Sequence, residues 1–142
     1  MAKNLVYRND NKKNRVEVLA ATYAPGVPVV SLSGAPAVTI TGSGDYVKSE
    51  VIPGVGTLSG SAAGGVGLEG KEVTLAFDGT WEFPTSDITG ATASTANGTK
   101  VYITSANALT TTASGNTFYG TVDRPKDYDN TRGFTPIKIG AR

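Results

Sequence analysis

A chain of 142 residues with a formal net charge of +1 can bury about two thirds of its unfolded surface in one domain, and this charge balance implies no polyanion partner. The chain has no cysteine and no histidine, which excludes disulfides, thiolate metal sites and a cysteine nucleophile, and removes the usual general base and the commonest metal ligand. No apolar run reaches the length of a membrane span and the N-terminus lacks the apolar core of a signal peptide, so synthesis in the cytoplasm without Sec-type export is expected.

Glycine, threonine, serine, alanine and valine dominate, and no stretch shows helical apolar spacing. Short β-rich segments punctuated by glycine, proline and asparagine predict an all-β fold, a small sandwich or barrel with an extended N-terminal arm and glycine-rich loops. The expected division is an arm over residues 1–15 and a single β domain over residues 16–142.

The arm carries Lys3, Arg8, Lys12, Lys13 and Arg15 against a single acid, Asp10. Leu5, Val6 and Tyr7 are too few to form a core, so the stretch reads as a solvated tail or as a segment that orders on a partner. With Tyr7 its only aromatic, it lacks the interleaved aromatics of nucleic-acid binders, and an acidic protein surface fits it at least as well. Strands are then expected at residues 16–19, 38–41 and 46–52, and residues 25–32 read as a turn leading into a buried strand. Nine of the eighteen glycines fall between Gly42 and Gly70, and residues 57–65 read as a loop.

Residues 71–84 hold the clearest pattern. Val73, Leu75, Phe77, Trp81 and Phe83 occupy odd positions, while Glu72, Thr74, Asp78, Thr80 and Glu82 occupy even ones. That alternation predicts one long strand, kinked or bulged at Gly79, with its odd face in the core and its acids at solvent or rim. Further on, Thr85-Ser86-Asp87 can cap one helical turn. Strands are expected at residues 100–104, 109–112, 117–122 and 134–139, with a charged loop at 123–133. Pro136 predicts an edge position or a bulge for the last strand.

Several motifs fail on context. Gly65-Val66-Gly67-Leu68-Glu69-Gly70-Lys71-Glu72 has the spacing of a phosphate-binding loop, but Glu72 stands where the magnesium-binding hydroxyl belongs and a strand follows where a helix is required. Asn97-Gly98-Thr99 reads as a tight turn rather than a glycosylation acceptor. Asp127-Tyr128-Asp129-Asn130-Thr131 departs from the EF-hand spacing, and Arg124, Lys126 and Arg132 oppose a cation. Glu72, Asp78 and Glu82 could run glycoside chemistry without histidine, yet nothing marks one of them as buried. No catalytic, cofactor or metal site is therefore expected.

Taken in order, the Met1-Ala2-Lys3-Asn4 start, Gly26-Val27-Pro28-Val29-Val30, Gly65-Val66-Gly67, the stretch from Val73-Thr74-Leu75 to Trp81-Glu82-Phe83-Pro84, Gly98-Thr99-Lys100-Val101-Tyr102, Tyr119-Gly120-Thr121-Val122 and Ile137-Lys138-Ile139 resemble the tailed-phage capsid decoration, or cement, proteins. Relatives have sometimes carried a recombinase-like label, to which the defective phosphate loop lends no chemistry. The resemblance implies a non-enzymatic virion protein on the outer surface of the capsid, made in the host cytoplasm. It implies a homo-trimer that bridges subunits of the major capsid protein, without membrane or nucleic acid as partner. Lys3, Asn4, Leu5, Tyr7 and Arg8 are the expected capsid contacts, the arm adding a strand to a capsid sheet edge. Tyr128 and Phe134 are the expected subunit contacts. The competing reading is a glycan- or host-surface-binding β-sandwich module displayed on a virion, using loop aromatics such as Tyr46 or Tyr128.

Overall fold

The computed structural model describes residues 5–7, 14–40, 47–52, 54, 56–61 and 71–140. In chain order the strands are β1 (Leu5–Tyr7), β2 (Asn14–Val18), β3 (Pro28–Val30), β4 (Pro36–Thr39), β5 (Val47–Ile52), β6 (Gly56–Ser61), β7 (Glu72–Ala76) and β8 (Thr80–Pro84). After a 3-10 turn at Thr85–Asp87 come β9 (Ile88–Thr89), β10 (Lys100–Ile103), β11 (Leu109–Thr110) and β12 (Thr117–Val122), then a second 3-10 turn at Asn130–Arg132 and β13 (Phe134–Ile139). The architecture is all-β. A larger sheet runs β1-β8-β13-β12-β10-β11-β9, a smaller one runs β2-β7-β4-β3, and β5 and β6 pair with each other.

The central stretch is not one strand. β7 belongs to the smaller sheet and β8 to the larger, so residues 77–79 carry the chain from one layer to the other. Gly79, at φ 94°, sits in a region that side chains other than hydrogen avoid. Its carbonyl accepts from Ile139 N at 3.0 Å, and Asp78 O accepts from Trp81 Nε1 at 2.8 Å, which fixes the corner. A sheet switch preserves the apolar alternation of a continuous strand, which is why the pattern alone read as one element.

The N-terminal segment follows this switch in reverse. Leu5 lies opposite Trp81 on β8, and Asn14 to Val18 lie opposite Ala76 to Glu72 on β7, all antiparallel. Thus β1 joins the larger sheet and β2 the smaller one, each beside its half of the central stretch.

The switch also divides the core. Trp81, Phe83, Ile88, Val101, Ile103, Leu109, Tyr119, Val122, Ile137 and Ile139 from the larger sheet pack with Val38 and Ala76 from the smaller one. Val73, Leu75, Val29, Ala37 and Leu19 form a second cluster, with Tyr23, Val27 and Phe77 packed on it. Both faces of the smaller sheet are therefore apolar, and even-numbered Ala76 is as buried as odd-numbered Leu75. Tyr119 ties the layers together. Its ring meets Phe83 edge-on at 6.0 Å, and its hydroxyl donates to Ala37 O at 2.8 Å, a satisfied polar group inside an apolar layer. Burial pushes the Tyr119 phenol well above its ordinary range. β12 and β13 approach so closely at Gly120 that a Cβ there would stand 2.2 Å from Lys138 O.

Two further expectations are corrected. Residues 57–65 were expected as a loop, but Gly56–Ser61 is a strand paired with β5 from Val47 opposite Ser61 to Ile52 opposite Gly56. Glycine and serine have low strand propensity, so composition hides a strand that its backbone pairing with β5 defines. Pro136 was expected to force an edge or a bulge, yet β13 lies between β8 and β12. The Pro136 carbonyl accepts from Asp123 N at 3.0 Å, beyond Val122, the last residue of β12 paired with β13. A residue's N–H and C=O point to the same side of a strand, so the donor that proline lacks falls past the end of that ladder.

Candidate functional site

β8 lies beside two segments that the sequence singles out, the N-terminal strand β1 and the 123–133 loop. On one flank it holds β1, with Leu5 opposite Trp81 and Tyr7 opposite Thr80 across a local irregularity. Two of the five arm residues are thus placed by their backbone in the protein's own sheet. Lys3, Asn4 and Arg8 lie outside the described residues.

The even-numbered face of β8 is covered by the 123–133 loop. Thr80 Oγ1 donates to Asp123 Oδ2 at 3.0 Å. Two residues further along the same face, Glu82 accepts from the Tyr128 hydroxyl at 2.7 Å and from both ends of the Arg132 guanidinium, Nη1 to Oε1 at 3.0 Å and Nη2 to Oε2 at 3.3 Å. The Glu82 side chain is 12% exposed and that of Arg132 51%, so a nearly buried carboxylate anchors a half-exposed cation by a two-pronged, charge-assisted bond. Glu82 was expected at solvent or rim. A loop some fifty residues downstream covers it, and alternation within one strand carries no sign of that.

Tyr128 and Phe134, the expected subunit contacts, meet through the same latch. The Arg132 guanidinium lies 5.6 Å from the centre of the Phe134 ring. Partial burial, with the hydrogen bond to Glu82 and its negative charge, pushes the Tyr128 phenol up to about 12, against the opposing charges of Arg132 and Arg124. Asp129 caps the second 3-10 turn through bonds from Thr131 N at 2.9 Å and Thr131 Oγ1 at 2.5 Å, and these hold its carboxyl below the usual range. The far end of the loop is held by Arg124. Its guanidinium donates to the carbonyls of Thr95 and Thr92, its N–H to Asn97 Oδ1 at 2.8 Å, and its carbonyl accepts from Asn97 Nδ2 at 3.1 Å. Glu82, Arg124 and Arg132 were missed as structural anchors because their partners are remote in sequence.

The other motifs come apart. Glu72 and Glu82 stand in different sheets and Asp78 on the corner between them, so the three acids share no wet face. Most of the phosphate-loop motif lies outside the described residues, and β7 begins at Glu72 where that motif would require a helix. Among the described residues no three histidine, cysteine, aspartate or glutamate side chains are grouped to hold a metal ion, and no helix is long and apolar enough to cross a membrane. Tyr46 lies outside the described residues. A cavity of about 510 Å³ opens between Val27, Pro28, Phe83, Pro84 and Leu109, with Asp87 the one carboxylate among its lining residues.

At the end of the smaller sheet, Glu17 is buried. It accepts from Leu32 N at 2.9 Å and pairs with Arg15, whose guanidinium stacks 5.0 Å from the Phe77 ring centre and donates to Ser33 Oγ at 3.2 Å. With its charged odd face turned inward, β2 leaves Val16 and Val18 outside, 47% and 56% exposed.

The family model described as phage cement protein matches residues 32–137, well over half of the chain. No curated protein and no solved structure matches.

Proposed function

The chain belongs to the phage cement protein family, whose members are structural capsid proteins, and on that premise we propose that it binds the outer surface of a phage head and bridges neighbouring subunits of the major capsid protein. The observation that carries this reading is the family match over residues 32–137. The protein acts by binding, not by catalysis, and many modest contacts repeated over the shell supply the stabilisation through multivalency.

The geometry supports one face in particular. β1 and the latched 123–133 loop both lie on β8, so the N-terminal segment and the charged loop can meet one target together. In this reading residues 1–15 serve as the arm of a β domain spanning residues 16–142. Lys3, Asn4, Leu5, Tyr7 and Arg8 face the major capsid protein, while Tyr128 and Phe134 stand near contacts between copies gathered as trimers where capsomers meet.

Purified protein added to mature heads that lack it should bind in stoichiometric amount and raise the temperature at which the heads release their DNA. Deleting residues 1–13 removes β1 and leaves β2, and should weaken addition to heads while keeping the β circular dichroism. Saturation of heads by the truncated chain at the wild-type concentration would remove the N-terminal segment from the contact. Failure of the full chain to bind any head would sink the reading itself.

A further inference from the structure

We propose that β2 is a self-association edge, on which a second copy of this chain adds its own β2 antiparallel across a two-fold axis. The pairing does not depend on the capsid reading above.

Three observations converge on that edge. β2 is the terminal strand of the smaller sheet, and among the described residues no strand pairs with its outer side. Two of the large apolar side chains left exposed among the described residues, Val16 and Val18, stand on one face of β2. The backbone phase follows from Leu19 N donating to Lys71 O at 3.2 Å. In the register with β7, Leu19, Glu17 and Arg15 then turn their N–H and C=O groups inward, and Val18, Val16 and Asn14 turn theirs outward. Natural edge strands are commonly blunted by charged side chains, proline or a bulge. The charges of β2, Arg15 and Glu17, are paired with each other, and exposed valines accompany the open hydrogen-bonding groups.

Charge selects the occupant and the register. Antiparallel self-pairing must oppose outward-facing residues to outward-facing residues. Centring the two-fold on Val16 sets Val16 against Val16, Asn14 against Val18 and Arg15 against Glu17 of the other copy. Opposite charges then alternate down one face and the two central valines meet on the other. Centring it on Glu17 sets two glutamates against each other, which repels. The edge is thus complementary to itself in one register. A two-fold contact of this kind is isologous, so it links copies in pairs and is distinct from the head-to-tail contacts that close a trimer.

The chain's lack of cysteine makes the register testable. Val16→Cys should cross-link to a covalent pair under mild oxidation, because opposed residues in an antiparallel ladder lie within disulfide reach. Val18→Cys, opposed to Asn14, should not. In light scattering the wild type should show a species of twice the mass of its smallest unit, and Val16→Lys should raise the concentration needed for that doubling by roughly tenfold or more with unchanged circular dichroism. Absence of doubling at millimolar protein, equal cross-linking of the two cysteine variants, or doubling that survives Val16→Lys would each overturn the proposal. If Val16→Lys left the protein's mass unchanged but abolished binding to heads, the occupant would be a capsid strand, which also overturns it.

Discussion

The two halves of the central stretch sit side by side in the chain and end up in opposite situations. β8 is enclosed, with β1 along one flank, β13 along the other and the 123–133 loop latched over its even face through Thr80 and Glu82. β7 is covered by β2, but β2 itself faces outward with two bare valines. The same N-terminal segment supplies both neighbours. The difference lies in the faces rather than the edges, since β1 and β2 are both terminal strands. Beside β1 a loop pinned by one nearly buried carboxylate covers the face of β8, while among the described residues no such loop covers the valines of β2.

The sharpest way to break the contrast is to hollow the enclosed side. Trp81→Ala removes the largest side chain of the main cluster and should lower stability by about 3–5 kcal/mol, measured by denaturant unfolding. Gly120→Ala drives a methyl group into the Lys138 carbonyl where β12 and β13 touch and should cost about 1–3 kcal/mol. Glu82→Ala strips the latch from Tyr128 and Arg132 and should cost about 1–2 kcal/mol, with faster proteolysis within residues 123–133. On the open side, Val16→Ala and Val18→Ala should change the unfolding free energy of dilute protein by no more than about 0.5 kcal/mol, as exposed positions do.

The latch also has a pH signature. The Tyr128 phenol is raised from 10.0 to about 12 in the folded protein, so its neutral form is favoured by folding. Its contribution is fully present below pH 10 and is lost as pH climbs through 12. Ultraviolet titration should show one phenol ionising near pH 12, and in Glu82→Gln that phenol should ionise at lower pH, because the negative charge favouring its neutral form is gone while the amide oxygen can still accept its hydrogen bond. An unmoved ionisation in that variant would detach Tyr128 from the latch.

Much of the strand content was legible because burial on a pleated surface leaves a two-residue rhythm. β12 and β13 begin and end where the sequence places them, and β5 falls within one residue. The rhythm failed wherever pairing rather than side chains defines the strand, as at Gly56–Ser61, and wherever a strand changes partners without changing phase, as at Gly79. The latch was partly legible, since Tyr128 and Phe134 stood out, but its hub Glu82 was read only as one acid in a row at solvent or rim. A carboxylate on an alternating strand looks the same whether water or an arginine from a distant loop covers it. β2 inverted the usual logic, its glutamate inside and its valines outside, and only the Arg15, Leu32 and Phe77 contacts explain why.

The reverse tracking of residues 72–81 by the N-terminal segment has a consequence for the order of assembly. β1 and β2 leave the ribosome well before β7 and β8, the strands with which they pair. β1 and β2 therefore stay without their sheet partners until the central stretch has emerged, and such long-range closure is slow. The placing of β1 and β2 in the two layers therefore waits on the synthesis of residues 72–84.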